Sequence, residues 1–395
     1  MFFDSKNSKE CYDCGACIDI CPKGAISIKE GVDTYLYPEI DDSLCIKCNA
    51  CRRICPIQNN LNSTHMPQKC FAAIAKSSKD WESSSSGGAF RVIANFFLEE
   101  CNRRKQCFYV AGAIWKDDLK VVHDVSLIRN IGEIEIFQKS KYVKSNCVGI
   151  YKKIKALLLD PNNFVLFTGT PCQIQALKNF LTKKDGIENL VCIDIVCHGV
   201  PSQKIFDKYI EGLENEMCLK VVGYEFKNKK KLDNGTIYTR SARISFSDGS
   251  ERLVTRFSDD YINLFYTCSF HFRPSCYTCK FKSPHRVGDI TLGDAWGLEK
   301  IYENVKPIQG ISLIIFNKEF EKLQEYIAEK MTTYSCDYDF MVQSNGPLRE
   351  CTGNGISEKI LQDFFSGIRN DSKSFKTVAE DYIKSINEFK GKSNE

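Results

Sequence analysis

The sequence predicts a small α+β domain at the amino terminus, then a larger α/β domain with an antiparallel insertion. Three observations predict this. Two copies of one four-cysteine spacing fill residues 1 to about 60. Strand, helix, strand, helix follow one another from Phe164 to the helix after Ser202, the order of a parallel sheet with a right-handed crossover. Between residues 219 and 257 three strand-like runs are separated by turn signals, which reads as an antiparallel meander.

The composition fits. The chain has 395 residues, 21 of them Cys, with 43% hydrophobic and 26% charged residues. That profile excludes disorder, collagen-like repeats and a coiled-coil rod. A chain this long buries a core without staples, and its Cys count is odd, so a disulfide framework is not expected. The formal charge of +4 is too small for a dedicated nucleic-acid binder. MFFDSKNSKE lacks the apolar region of a signal peptide, and no run approaches the ~18 apolar residues of a membrane span. The expected location is therefore cytoplasmic, where thiols stay reduced and clustered Cys bind metal or do redox work.

The elements follow in order. Ala25 to Ile28 and Tyr35 to Ile40 are short strands between the cysteine groups, and residues 57–69 read as a linker. Phe71 to Ala75 is a strand. Gly87-Gly88 opens a helix whose Phe90, Ile93, Ala94 and Phe97 form one apolar face. Phe108 to Trp115 and Leu119 to Val125 are strands, and Val148 to Leu159 is a helix stopped by Asp160-Pro161. The strand Phe164 to Phe167 leads through Gly169 to Thr170 as N-cap and Pro171 at the first helical position. Leu190 to Val196 is a second buried strand. The meander comprises Val221 to Phe226, Thr236 to Phe246 and Glu251 to Phe257, with turns at Asp233-Asn234-Gly235 and Asp248-Gly249. Strands ending at Gly293-Asp294 and running from Ile311 to Phe316 come next. A helical tail presents Ile360, Phe364, Phe365 and Ile368 on one side. The expected domains are 1–60, a larger domain in two parts (70–160 and 161–345), and a tail at 346–395.

Cys11, Cys14, Cys17 and Cys21 precede Pro22, and Cys45, Cys48, Cys51 and Cys55 precede Pro56. Both fit C-x2-C-x2-C-x3-C-P, the run of two-cluster ferredoxins, in which the fourth Cys ligates the other cluster. The expectation is one 4Fe-4S cluster on Cys11, Cys14, Cys17 and Cys55, and another on Cys45, Cys48, Cys51 and Cys21. Zinc gives no reason for two matched sets of four followed by Pro, and a cytosolic disulfide framework is disfavoured. Gly15 and Asn49 suit the tight loops of such a site.

SSSSGGAF (83–90), QKSKYVKS (138–145), LFTGTPCQIQALK (166–178), DIVCHGVPS (194–202), RPSCYTCKFK (273–282) and DITLGDAWG (289–297) occur in that order. With the ferredoxin module, they resemble the beta-subunit family of coenzyme F420-reducing hydrogenases and dehydrogenases over roughly residues 8–317. The resemblance implies that the α/β domain binds a flavin, FAD, with further iron–sulfur ligation nearby. It makes the chain an iron–sulfur flavoprotein oxidoreductase acting on coenzyme F420 or another small molecule. The alternative is an electron-transfer subunit of a larger dehydrogenase without its own substrate. A redox partner protein or a small-molecule substrate is the expected partner, with no nucleic acid.

The residues allow this on their own terms. Gly87 and Gly88 permit close backbone approach at a helix start, and Lys141 is placed to pair with a phosphate. Gly169, Thr170 and Pro171 make a second anion-ready helix start. Asp289 and Asp294 flank a strand and could hold a flavin hydroxyl; Trp296 could stack on the flavin. His198 and Asp294 are the candidate proton carriers. Each also reads as an ordinary cap, turn or core residue. Cys172 lies in the first turn of its helix, where the dipole lowers a thiol pKa. Cys276 and Cys279 form an isolated C-x2-C, for which Cys172 and Cys197 are the expected partners in a third 4Fe-4S site, with Cys268 as a spare. Zinc on the same four, or free thiols, are the alternatives. Cys70, Cys101, Cys107, Cys147, Cys192, Cys218, Cys336 and Cys351 read as core or incidental thiols. Lys227, Lys229, Lys230 and Lys231 read as a solvated loop, or alternatively a dock for an acidic partner or polyanion. The sequence has no P-loop and no serine nucleophile elbow.

Overall fold

The computed structural model describes residues 10–58, 67, 69–229, 237–268, 272–349 and 356–392. Residues 1–9, most of the expected linker (59–66 and 68), Lys230, Lys231, the turn Asp233-Asn234-Gly235 and Cys351 lie outside the described residues, as does the side chain of Cys268.

The amino-terminal module is a two-stranded antiparallel hairpin, β1 (Ile26–Glu30) and β2 (Leu36–Ile40), between two short helices, α1 (Ala16–Ile20) and α2 (Ala50–Ile54). The two cysteine runs fold alike. Asp13 and Lys47, each two residues after the first Cys, have φ of 52° and 56°, and Gly15 and Asn49 cap α1 and α2 at φ 78° and 57°. Left-handed backbone at these positions curls the chain so that its thiols face inward; Gly and Asn are the residues that tolerate it.

The larger domain is built on one eight-stranded mixed sheet. Its strands are β3 (Lys69–Ala75), β4 (Cys107–Lys116), β5 (Lys120–Leu127), β6 (Asn163–Gly169), β7 (Leu190–Ile195), β11 (Ile290–Asp294), β12 (Ser312–Phe316) and β13 (Met331–Ser335). The order is β13-β3-β12-β11-β7-β6-β4-β5. Only β4, β6, β7 and β11 run parallel, and antiparallel strands extend both sides. The expected parallel sheet is thus its centre, and strands from residues 70–160 and 161–345 share it.

The helices α4 (Ala89–Arg104), α5 (Ile150–Leu158), α6 (Pro171–Phe180) and α7 (Gln203–Met217) stand where expected, and a short α3 (Ser78–Glu82), capped by Ser77, adds to them. Thr170 and Gln173 form a reciprocal capping box at the start of α6. One sheet face packs α4 through Ile93, Phe97 and Leu98; the other packs α5 and α6 through Ile154, Ile174 and Leu177. A separate antiparallel sheet holds β8 (Val221–Phe226), β9 (Ser241–Phe246) and β10 (Glu251–Thr255). Its β9 and β10 are shorter than the alternation suggests. The tail is two helices, Glu358–Arg369 and Phe375–Lys392, packed with α7 around Phe206, Phe364 and Tyr382. Among the described residues no helix is long and apolar enough to cross a membrane.

Candidate metal and cofactor site

The amino-terminal module docks on α5 and α6, on the face of the large sheet away from α4. The buried Asp19 of α1 accepts the backbone N–H of Gly149 at 2.7 Å and of Tyr151 at 3.2 Å at the start of α5. The Tyr151 hydroxyl donates back to the Cys14 carbonyl at 2.7 Å, and the Asn179 amide donates to the Ile54 carbonyl at 3.1 Å.

One cavity in this module is lined by Cys11, Cys14, Cys17 and Cys55, with Ile28, Pro38, Pro56 and Ile57 around them. Three thiols of the first run meet the last thiol of the second. Burial, then the neighbouring Cys17, pushes the Cys14 thiol well up. Burial likewise pushes Cys55 up to about 11. Cys51 has Cys21 and Cys45 among its electrostatic neighbours. This second set is more open: Cys48 is exposed, and Cys21, Cys45 and Cys51 are half-buried.

A second cavity lies where the parallel strands end. Adjacent β6 and β7 deliver Cys172, at the start of α6, and Cys197 to the same edge. Both line this cavity together with Cys276 and Cys279, and with Tyr12, Lys144, Arg273 and Lys282. Ligand sites form at such carboxyl ends. The helix position does not leave Cys172 acidic: burial raises its pKa, although Lys144 and a contact with Thr170 oppose this. Burial also pushes Cys279 up to about 12. Among the described residues no three His, Cys, Asp or Glu converge on a point as ligands of a single metal ion would.

Two residues join the cavities. Tyr12 is 7% exposed, lines both, and accepts the Lys280 backbone N–H at 3.3 Å. Arg273 is 1% exposed. Its guanidinium donates to the Cys11 carbonyl, and to the Leu36 carbonyl at 3.0 Å. It stands 3.7 Å from Asp13 and lies over the Tyr37 ring at 4.2 Å. Ser275 donates to the same Cys11 carbonyl at 2.9 Å.

Beyond the second cavity lies a buried basic group. Lys227 pairs with Asp294, and Lys229 donates to the Trp81 and Ser86 carbonyls and to the Ser84 hydroxyl. The expectation of a solvated loop is overturned for both: they are 5% and 8% exposed, because Phe226 carries the strand into the core and the chain stays inside after it. Burial, then Lys227, lowers Lys229 to about 7. Burial beside Lys139 does the same to Lys141, whose ammonium donates to the Gln138 carbonyl at 2.8 Å. Arg240 lies over Trp296 at 4.8 Å. Its Nε and the Ser86 hydroxyl are buried without a hydrogen-bond partner. His198, next to Cys197, is exposed.

The remaining candidates separate. Gly88 is the left-handed N-cap of α4. Gly87 packs on backbone, since a Cβ there would lie 2.1 Å from the Ala73 carbonyl oxygen. Gly169 and Thr170 are occupied by the capping box, with Thr170 N–H donating to Gln173 Oε1 at 2.8 Å, but Thr170 and Pro171 line the second cavity. Asp289 lies at the other end of β11 from Asp294. It accepts the Cys192 N–H at 2.7 Å and pairs with Lys178 and Lys318. Sequence reasoning missed Tyr12, Arg273 and the buried role of Lys227 and Lys229. It also missed Arg240, which had no motif to mark it.

The fold and its matched cysteine runs define an iron–sulfur protein: a dicluster ferredoxin module joined to a mixed α/β domain. Residues 10–59 match the family described as 4Fe-4S dicluster domain. Residues 163–336 match the family described as the carboxy terminus of the beta subunit of coenzyme F420 hydrogenase/dehydrogenase. The chain thus carries a segment similar to that beta-subunit family behind a 4Fe-4S dicluster domain. It is 24% identical over 247 residues to one of the subunits of F(420)H(2) dehydrogenase from Methanosarcina mazei, covering 59% of this chain and 65% of that relative. It is 39% identical over 57 residues to ferredoxin Fdx2 of Sorangium cellulosum, covering 13% of this chain and 52% of the ferredoxin. The chain thus spans between half and two thirds of these curated relatives. A chain of the F420-reducing NiFe hydrogenase complex from Methanosarcina barkeri aligns with a TM-score of 0.46 and 14% identity, over 83% of this chain and 94% of that one.

Proposed function

We propose that the chain is an iron–sulfur flavoprotein oxidoreductase. Cys11, Cys14, Cys17 and Cys55 hold one 4Fe-4S cluster, and Cys45, Cys48, Cys51 and Cys21 hold another. Cys172, Cys197, Cys276 and Cys279 hold a third, and the buried basic group receives FAD. Bound there, clusters supply one-electron transfer, and the flavin exchanges two electrons with coenzyme F420 or another small molecule.

The observation that carries this reading is the shared wall. Four cysteines from three separate motifs ring one cavity, and Tyr12 belongs to that cavity and to the ferredoxin one. Zinc needs thiolates about 2.3 Å from a single point. A ferredoxin site sharing that wall gives a cluster here a one-electron neighbour, which a zinc ion would not use. For the flavin, the supporting observation is the pair of orphaned buried polar atoms, Ser86 Oγ and Arg240 Nε, beside Lys227 and Lys229. A buried cationic group with unused donors is stabilised by an anion such as the FAD pyrophosphate. His198, exposed beside Cys197, is the candidate to accept a proton from a bound reductant.

The test is anaerobic reconstitution with iron, sulfide and FAD. About twelve irons and one FAD per chain are expected. Protein that takes up no flavin would sink the flavin assignment. The second reading, an electron-transfer subunit, is favoured by the relative being a subunit of a dehydrogenase. It wins if the flavin-loaded chain exchanges electrons with no small molecule unless a partner chain is added.

A further inference from the structure

We propose that the face around Cys48 docks an acidic one-electron carrier protein of ferredoxin type. The proposal rests on the reading of Cys45, Cys48, Cys51 and Cys21 as ligands of one cluster.

The two ferredoxin sites differ in their surroundings. The first is lined by α1 and by the hairpin residues Ile28, Tyr37 and Pro38, and α1 packs on α5 and α6. The second opens to solvent. Every residue from Asp41 to Asn49 is exposed except the half-buried Cys45. Beside Cys45 stand Leu44 at 51% exposure and Ile46 at 58%, two neighbouring large apolar side chains left in water. Apolar surface at a redox site marks where a partner excludes water.

Past Asp42 the charge along this segment has one sign. From Ser43 to Gln58 the sequence carries Lys47, Arg52 and Arg53, all exposed, and no Asp or Glu. Lys23, also exposed, follows Cys21-Pro22. Arg53 is anchored at the cysteine loop by donating to the Cys48 carbonyl at 2.9 Å. Asp41 and Asp42 bound the face on one side, and the Asp41 carboxylate is turned onto the Ser43 N–H at 2.9 Å. The whole chain carries only +4, so this local excess is not a general property of its surface. A basic rim around an apolar centre selects an acidic partner and speeds its encounter.

The test titrates the cluster-loaded chain with a purified, oxidised, acidic two-cluster ferredoxin by calorimetry at low and high salt. Binding is expected at low salt and should weaken as salt rises. The triple variant K23E/K47E/R52E should bind at least about tenfold more weakly and lose most of the salt dependence. Its visible spectrum and melting point should match wild type. L44S/I46S should weaken binding while keeping the salt dependence. Unchanged affinity in the triple variant overturns the proposal. So does equal binding of a basic carrier such as a cytochrome c, or salt-sensitive self-association in sedimentation in place of carrier binding. A C48S chain that keeps its full iron content would instead refute the ligand assignment and leave the docking face standing.

Discussion

Replacing Arg273 by Met should detach the ferredoxin module before the rest of the chain unfolds. The side chain is 1% exposed and is shared between the two domains. Its guanidinium holds the Cys11 carbonyl, the Leu36 carbonyl at 3.0 Å and Asp13 at 3.7 Å. A hydrogen bond from a charged donor contributes about 1.5–3 kcal/mol, and breaking a buried ion pair costs about 3–5 kcal/mol. Two features hold the loss to the lower end. Ser275 still satisfies the Cys11 carbonyl at 2.9 Å, and Lys144 still stands 3.9 Å from Asp13. A loss of about 3 kcal/mol is therefore expected, a large share of a typical stability of about 5–15 kcal/mol. The three Trp residues, Trp81, Trp115 and Trp296, all lie in the larger domain, whereas two of the proposed clusters would colour the ferredoxin module. Anaerobic urea unfolding followed by visible absorbance and Trp fluorescence separates the two events. Wild type should lose both signals together, and R273M should lose much of its visible absorbance first. R273K keeps the charge but not the two-pronged geometry and should fall between. Coincident transitions at the wild-type midpoint in R273M would refute the reasoning.

Three further outcomes are expected. Cys279→Ser should lower iron by about four per chain while the ferredoxin signals persist in electron paramagnetic resonance, because only the third cluster loses a ligand; an unchanged iron count would remove Cys279 from the ligand set. Gly87→Ala should destabilise by about 1–3 kcal/mol or more, since the added methyl would lie 2.1 Å from one backbone atom and 2.5 Å from another; a wild-type melting curve would contradict the packing. His123 is buried, which lowers its pKa to about 4, below its ordinary 6.5. The unfolded chain therefore takes up the proton first as pH falls. The stability due to the neutral ring is complete above about pH 6.5 and erodes toward pH 4 by up to roughly 1.4 kcal/mol per unit. Urea midpoints across that range should fall less in His123→Gln than in wild type, and parallel slopes would show that His123 does not contribute.

How far the site could be read beforehand depended on whether its signals were local. The cysteine runs are local: spacing sets which thiols share a turn, and the matched left-handed residues at Asp13 and Lys47 show the two copies folding by one rule. The C-x2-C at Cys276 and Cys279 was legible only as an incomplete set. Its partners arrive through topology, because neighbouring parallel strands end side by side, and Cys172 and Cys197 stand just past those ends. Periodicity names strands but not their order, so a parallel centre flanked by antiparallel strands looks like a parallel sheet. The lysines after Phe226 failed for another reason. Closely spaced cations read as solvated by composition, and only the tertiary contacts to Asp294, Trp81 and Ser86 reveal that they are buried. Burial costs both: for Lys227 the Asp294 carboxylate outweighs that cost, whereas the carbonyls around Lys229 leave it lowered to about 7. The residues that local rules misplace are thus the ones that the flavin reading needs.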